Sequence, residues 1–198
     1  MPNISDLLTT NTANIATNTA AVASAGGSYE LIQKQTISSN VTSIDFNSIS
    51  APQEQIVLMF NGLTMDSGNG DVRLRFMDSS GNNIGGSSDV YQYGSRRFGY
   101  QDAGGGGQLT TYINLTHNAS VGGAANKPFN GTYKIYKFGT SNPFLTGTGL
   151  YLDTSNEIVG NIIASKCEGS ATAARINIYA SLSASNFTGG SVYLYKLV

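Results

Sequence analysis

The first 22 residues constrain this chain more than any later stretch, because their apolar side chains recur every seven residues on a narrow seam. Met1, Leu8, Ile15 and Val22 share one heptad position, and Ile4, Asn11 and Asn18 share the other. TNTANIA (10–16) is followed at once by TNTAAVA (17–23), which is close to a direct repeat. A helix lying on its own domain shows a wider apolar stripe, so the pattern fits a coiled coil. Thr, Asn and Ser are mediocre helix formers, and roughly twenty such residues are marginal as a lone helix in water. Partner helices must supply the missing burial, so self-association is expected. Two Asn at seam positions lower stability and fix register and strand number. Asn3 is placed to cap the first turn, Asp6 sits where the helix dipole favours an anion, and Gly26 and Gly27 stop the helix. The plainer alternative is a polar N-terminal tail.

Ile or Leu alternating with Asn at the second core position, embedded in Thr and Ala, resembles the short trimeric stalks of phage fibres and trimeric bacterial adhesins. The resemblance implies a homotrimer, with Ile4, Leu8, Asn11, Ile15, Asn18 and Val22 as its oligomerisation residues. It also implies an anion on the three-fold axis at the Asn11 and Asn18 layers.

With 198 residues, the chain has room for one main domain and a sizeable core after the stalk. Charged residues make up 12% and the net charge is −1, so no basic field exists for nucleic acid or anionic lipid. The 24 Gly and 11 Tyr, with no Trp, are the usage of short strands joined by tight turns. No signal-peptide pattern follows Met1, and no apolar run is long enough to span a bilayer. Cys167, the single cysteine, lies in an alternating apolar stretch and is expected to act as a small buried hydrophobe.

Strands are expected over Tyr29 to Ile37, Val41 to Phe46, Gln55 to Asn61, Val72 to Met77 and Val90 to Tyr100. Gln55 to Asn61 is the most continuously apolar run and reads as a central strand covered on both faces. In Val72 to Met77, Val72, Leu74 and Phe76 share one face, and Arg73, Arg75 and Met77 the other. Gly104 to Gly107 reads as a flexible loop, since four glycines lose much entropy on ordering. Further strands are expected at Leu109 to Thr116, Thr132 to Phe138, Leu150 to Leu152, Ile158 to Cys167, Ala174 to Ser181 and Ser191 to Leu197, with a turn at Asn186 to Gly190. About ten strands at regular spacing argue for an all-β fold, an antiparallel β-sandwich of jelly-roll type. The expected organisation is a short coiled-coil helix over residues 1–25 and a sandwich domain over 26–198, whose core uses Ile56, Leu58, Phe60, Ile176 and Ile178.

The ending ARINIYASLSASNFTGGSVYLYKLV, with the opening YELIQKQTISSNVTSIDFNSI, resembles a β-domain of tailed-phage structural proteins. That resemblance implies a virion component: a capsid decoration protein, a head fibre or a tail-associated knob. Its implied partners are other copies of the chain and other virion proteins, the major capsid protein above all.

Catalysis needs convergent titratable groups, and the chain is poor in them. His117 is the single histidine and has no Cys or carboxylate at ligand spacing, and no G-x-S-x-G elbow occurs. Asp66, Asp71, Asp78, Asp89 and Asp102 are the candidates for a glycosidase pair, but all fall in or near expected turns, where Asp is common anyway. The Asp66 to Asp71 run has oxygen ligands but lacks the following Glu of a calcium loop, and no Lys-Ser/Thr follows the glycine run as in a phosphate loop. The chain is therefore read as non-enzymatic, with no cofactor and no metal. The rival to a purely mechanical role is recognition of host surface polysaccharide, with Tyr91, Tyr93, Tyr100 and Tyr112 offering stacking faces.

Overall fold

The computed structural model describes residues 28–47, 49–50, 52–66, 70–84, 90–99, 103–109, 111–116, 121, 127–181 and 185–198. The heptad positions Ile4, Leu8, Asn11, Ile15, Asn18 and Val22 lie outside the described residues, and so do Tyr100 and His117. Among the described residues twelve strands form: β1 (Tyr29–Ile37), β2 (Ser43–Phe46), β3 (Gln53–Met65), β4 (Val72–Met77), β5 (Val90–Gly99), β6 (Ala103–Leu109), β7 (Ile113–Asn114), β8 (Phe129–Phe138), β9 (Phe144–Leu152), β10 (Ile158–Glu168), β11 (Arg175–Ala180) and β12 (Phe187–Leu197). No helix occurs among the described residues.

The fold is all-β, and every strand pair is antiparallel. One sheet has eight strands in the order β1-β12-β3-β8-β9-β10-β5-β6, and the other has four in the order β2-β11-β4-β7. Side chains alternate across a strand, so each strand offers one apolar face. In β4, Val72, Leu74 and Phe76 are buried while Arg73, Arg75 and Met77 are half-buried, the division expected from the sequence. Ile56, Leu58 and Phe60 of β3 and Ile176 and Ile178 of β11 are buried in one core shared by both sheets. Cys167 is fully buried opposite Tyr91 in the β10–β5 ladder.

Polar side chains of the large sheet cross this core to backbone groups on the small-sheet side. Tyr133 Oη donates to the Leu115 carbonyl at 3.2 Å, Asn161 Nδ2 to the same carbonyl at 2.6 Å, and Tyr151 Oη to the Thr116 carbonyl at 2.5 Å. The Phe76 amide donates to Tyr91 Oη at 2.9 Å. Buried backbone groups that would otherwise lack partners are satisfied this way, which fixes the sheets relative to each other. Around these pins, Phe60, Phe129 and Tyr133 make edge-on contacts at 5.1 and 5.7 Å between ring centroids. Removing only the Tyr91 hydroxyl, in Tyr91→Phe, strands the Phe76 amide and is expected to cost about 1–3 kcal/mol in urea denaturation. An unchanged midpoint would show that the amide finds another partner.

Several expectations about strands and loops differ from the structure. Gly104 to Gly107 is not a loop but part of β6, with Gly104 opposite Arg96, Gly106 opposite Gly94 and Gly107 opposite Tyr93. Ladder bonds come from the backbone, so an edge strand forms without side chains once its neighbour presents free donors and acceptors. Leu109 to Thr116 is not one strand: Leu109 ends β6, and among the described residues that follow only Ile113–Asn114 form a strand, β7, before a turn. Gln55 to Asn61 is central in its sheet, but its outer face is not fully covered, because Met59 stands exposed.

Candidate binding face

The outer faces of the two sheets differ in chemistry. On the four-stranded sheet, Arg75 Nε donates to Asn177 Oδ1 at 2.7 Å, Asn177 Nδ2 to Asp45 Oδ1 at 2.6 Å, and Ser43 Oγ to Asp45 Oδ2 at 2.8 Å. The Arg73 guanidinium lies 3.9 Å from the Tyr112 ring centroid and that of Arg75 lies 4.7 Å from the Tyr179 centroid. Charges here are spent on neighbours within the same sheet.

Asp71, beside this network, accepts from Asn114 Nδ2 at 3.3 Å and lies 3.6 Å from Arg73. Burial nevertheless raises its pKa above the ordinary 3.8, outweighing the opposing pull of Arg73 and Asn114. A raised carboxyl takes up its proton in the native chain before the unfolded one as pH falls. Its contribution to stability is therefore fully present below pH 3.8 and is lost as pH rises through the folded value. Relative to Asp71→Asn, the wild type should gain stability between pH 7 and pH 4 in urea melts. Parallel curves would contradict this.

The eight-stranded sheet turns a different surface outward. Among the described residues, the exposed large apolar side chains, apart from the terminal Val198, all stand on its strands. Tyr29, Leu31 and Leu197 lie at the β1–β12 edge. Met59 (38% exposed), Leu150 (53%), Ile158 (66%), Ile162 (49%) and Phe98 (40%) lie farther across it. Ladder register places these five on one face: Met59 opposes Thr132, Thr132 opposes Thr148, and Thr148 opposes Ile162, while Gly160 opposes both Leu150 and Phe98. An apolar group of this kind on a solvent face is the pattern of an interaction surface.

Two depressions shape that face. A trough of about 770 Å³ crosses β9, β10 and β5 where the small residues Thr146, Ala164 and Gly94 oppose one another. Phe144, Gln92 and Lys166 border it, and Phe144 stacks on Tyr136 at 4.7 Å. A second hollow of about 490 Å³ lies between Met59 and Leu150, with Thr132 and Thr148 in its lining. Lys166 pairs with Glu168, which also accepts from Gln92 Nε2 at 3.2 Å.

Of the four candidate sugar-stacking tyrosines, the three that are described present no common face. Tyr91 is fully buried, its hydroxyl committed to Phe76, so it presents no face to a ligand. Tyr112 packs on Arg73 at the other sheet, Tyr93 lines the trough, and Tyr100 lies outside the described residues. The aromatic that alternation did not single out is Phe144, whose position at a strand start carried no pattern. Of the carboxylates, Asp66 accepts from the Asn186 amide at 2.8 Å and from its side chain at 2.7 Å, and Asp78 accepts from the Asn82 amide at 2.8 Å within its own turn. Hydrogen bonds from Asn82 hold the Asp78 pKa below its usual value. Both are turn-fixing roles. Among the described residues no three His, Cys, Asp or Glu side chains gather as a metal site.

No family model matches this chain, and no curated protein or solved structure does.

Proposed function

We propose that this chain is a non-enzymatic, homotrimeric structural protein of a tailed-phage virion, a jelly-roll sandwich carried on a short N-terminal coiled-coil stalk. Strand order is the observation that carries the reading. The orders β1-β12-β3-β8 and β2-β11-β4-β7 match those of the two four-stranded sheets of a jelly roll, with the hairpins β5–β6 and β9–β10 added beyond β8, and this match supports the reading. Double-sheet jelly rolls recur in viral capsid and lectin domains, which is an argument from fold and not from a site. The heptad over residues 1–22, separated by six residues from the start of β1 at Tyr29, brings the copies together in this reading. In this reading the protein decorates the capsid or forms a short head fibre, with the major capsid protein as its partner. Quantitative mass spectrometry of purified virions should find the chain in a copy number divisible by three. Its absence from virions would overturn the proposal.

The second reading, a tail-associated protein binding host surface polysaccharide, is favoured by the trough beside the Phe144–Tyr136 stack. An aromatic wall beside amide and charged groups suits a sugar ring. Binding to host polysaccharide that falls at least tenfold in Phe144→Ala would support it, and a blank array across host glycans would count against it.

A further inference from the structure

We propose that the outer face of the eight-stranded sheet, around Met59, Leu150, Ile162 and Phe98, packs against a second copy of this chain. The inference rests on the homotrimer reading and adds the surface through which the β-domains meet. Between β3 and β5 this face spans four inter-strand steps, about 19 Å at the usual strand spacing. The residues separating the four side chains, Thr132, Thr148 and Gly160, are small and uncharged. Arg96 is the one charged residue in these two rows, and its guanidinium lies 5.7 Å from the Phe98 ring centroid. Burying this face therefore costs little in charge desolvation.

The chain itself argues for its own copy as the occupant. Twenty-seven residues precede Ser28, and they enter the domain at Tyr29, on the edge strand β1 of this same sheet. Tyr29 also points to the outer face, where its hydroxyl accepts from Gln55 Nε2 at 2.7 Å. On the homotrimer reading the heptad ends at Val22 and six residues separate it from Tyr29, which makes the tether between stalk and β-domain short. At the millimolar effective concentrations such tethers give, an apolar face of modest size is enough for docking. The relief is suited to one copy entering another: Ile158 protrudes at one end, and the hollow between Met59 and Leu150 is open to receive a side chain. A contact of ridge to hollow is heterologous, and where its rotation closes at 120° it gives a trimeric ring instead of an open filament. Among the described residues the other sheet's outer face, with Arg73, Arg75 and Asp45 engaged within it, has no comparable exposed apolar side chains.

The test is sedimentation equilibrium of the full chain and of two variants, Ile162→Glu and Leu150→Lys, with circular dichroism to verify the fold. Both positions are about half exposed, so a charge there leaves the monomer's packing intact. The wild type should be a trimer, and each variant should weaken its association at least tenfold. A trimeric wild type with unchanged association in both variants would overturn this face while leaving the homotrimer standing. A monomeric wild type would overturn both.

Discussion

Gly190→Ala is expected to destabilise the β-domain by on the order of 3–5 kcal/mol, enough to leave much of it unfolded at ordinary temperatures. Gly190 has φ of +99°, a region that L side chains enter only with strain. A Cβ there would also stand 2.4 Å from the Gly62 carbonyl oxygen and 2.7 Å from Leu63 Cα. Those atoms are backbone, so no side chain can swing away to make room. The site is a paired irregularity: β12 slips register on β3 around Gly189, and Gly62 in β3 is itself at positive φ. The extra twist lets both long strands keep their apolar faces on the core on either side of the slip. Gly94→Ala, where nothing lies within 4 Å of the added carbon, is the matched control and should shift the urea midpoint by little. Equal midpoints for the two variants would show that the β3–β12 backbone relaxes freely.

On the proposed homotrimeric stalk, Ile15→Asp is expected to leave the chain monomeric without unfolding the β-domain. Ile15 is one of the two inner apolar residues of its heptad position and lies between Asn11 and Asn18 in sequence, so on the proposed seam its substitution removes apolar burial where the neighbouring layers are polar. Three carboxylates meeting at one layer repel each other and lose hydration. The sheets draw on a separate core, so urea unfolding of the domain should survive in the variant, apart from what assembly adds through mass action. Light scattering reads the outcome directly. A variant that stays trimeric would show that the heptad does not drive assembly.

Alternation made much of the domain legible. β4 separates apolar from polar side chains at every second residue and its burial follows that division, whereas in β11 Asn177 is buried as well as Ile176 and Ile178. Glycine was harder to read, because the same residue serves turns, bulges and close strand contacts. Gly104 to Gly107 resemble a loop by composition but pair along β5, and the Gly189–Gly190 pair sits in a bulged strand instead of a turn. Gly147 in β9 belongs to the third class, since a Cβ there would meet the Thr132 carbonyl and the Tyr133 ring at 2.4 Å each. Tyrosine was ambiguous in a different way. Tyr91 and Tyr112 look alike in sequence, yet one is a buried pin between sheets and the other a partner for Arg73 outside them. Which face of a strand meets the core depends on the strand opposite, and local sequence does not carry that information. The apolar outer face of the large sheet escaped sequence reading for the same reason, because Met59, Leu150 and Ile162 become neighbours only through the ladder β3-β8-β9-β10.

The central claim is a homotrimeric β-domain protein mounted on a virion, and cryo-electron microscopy of intact virions tests it most directly. The expected result is three-fold symmetric density that fits three copies of the twelve-stranded domain, with a thin stalk leading from the β1 edge. Density on the capsid lattice would identify a decoration or head fibre, and density at the tail would favour the polysaccharide-binding reading. Virions whose density has no three-fold feature accommodating this domain would contradict the account.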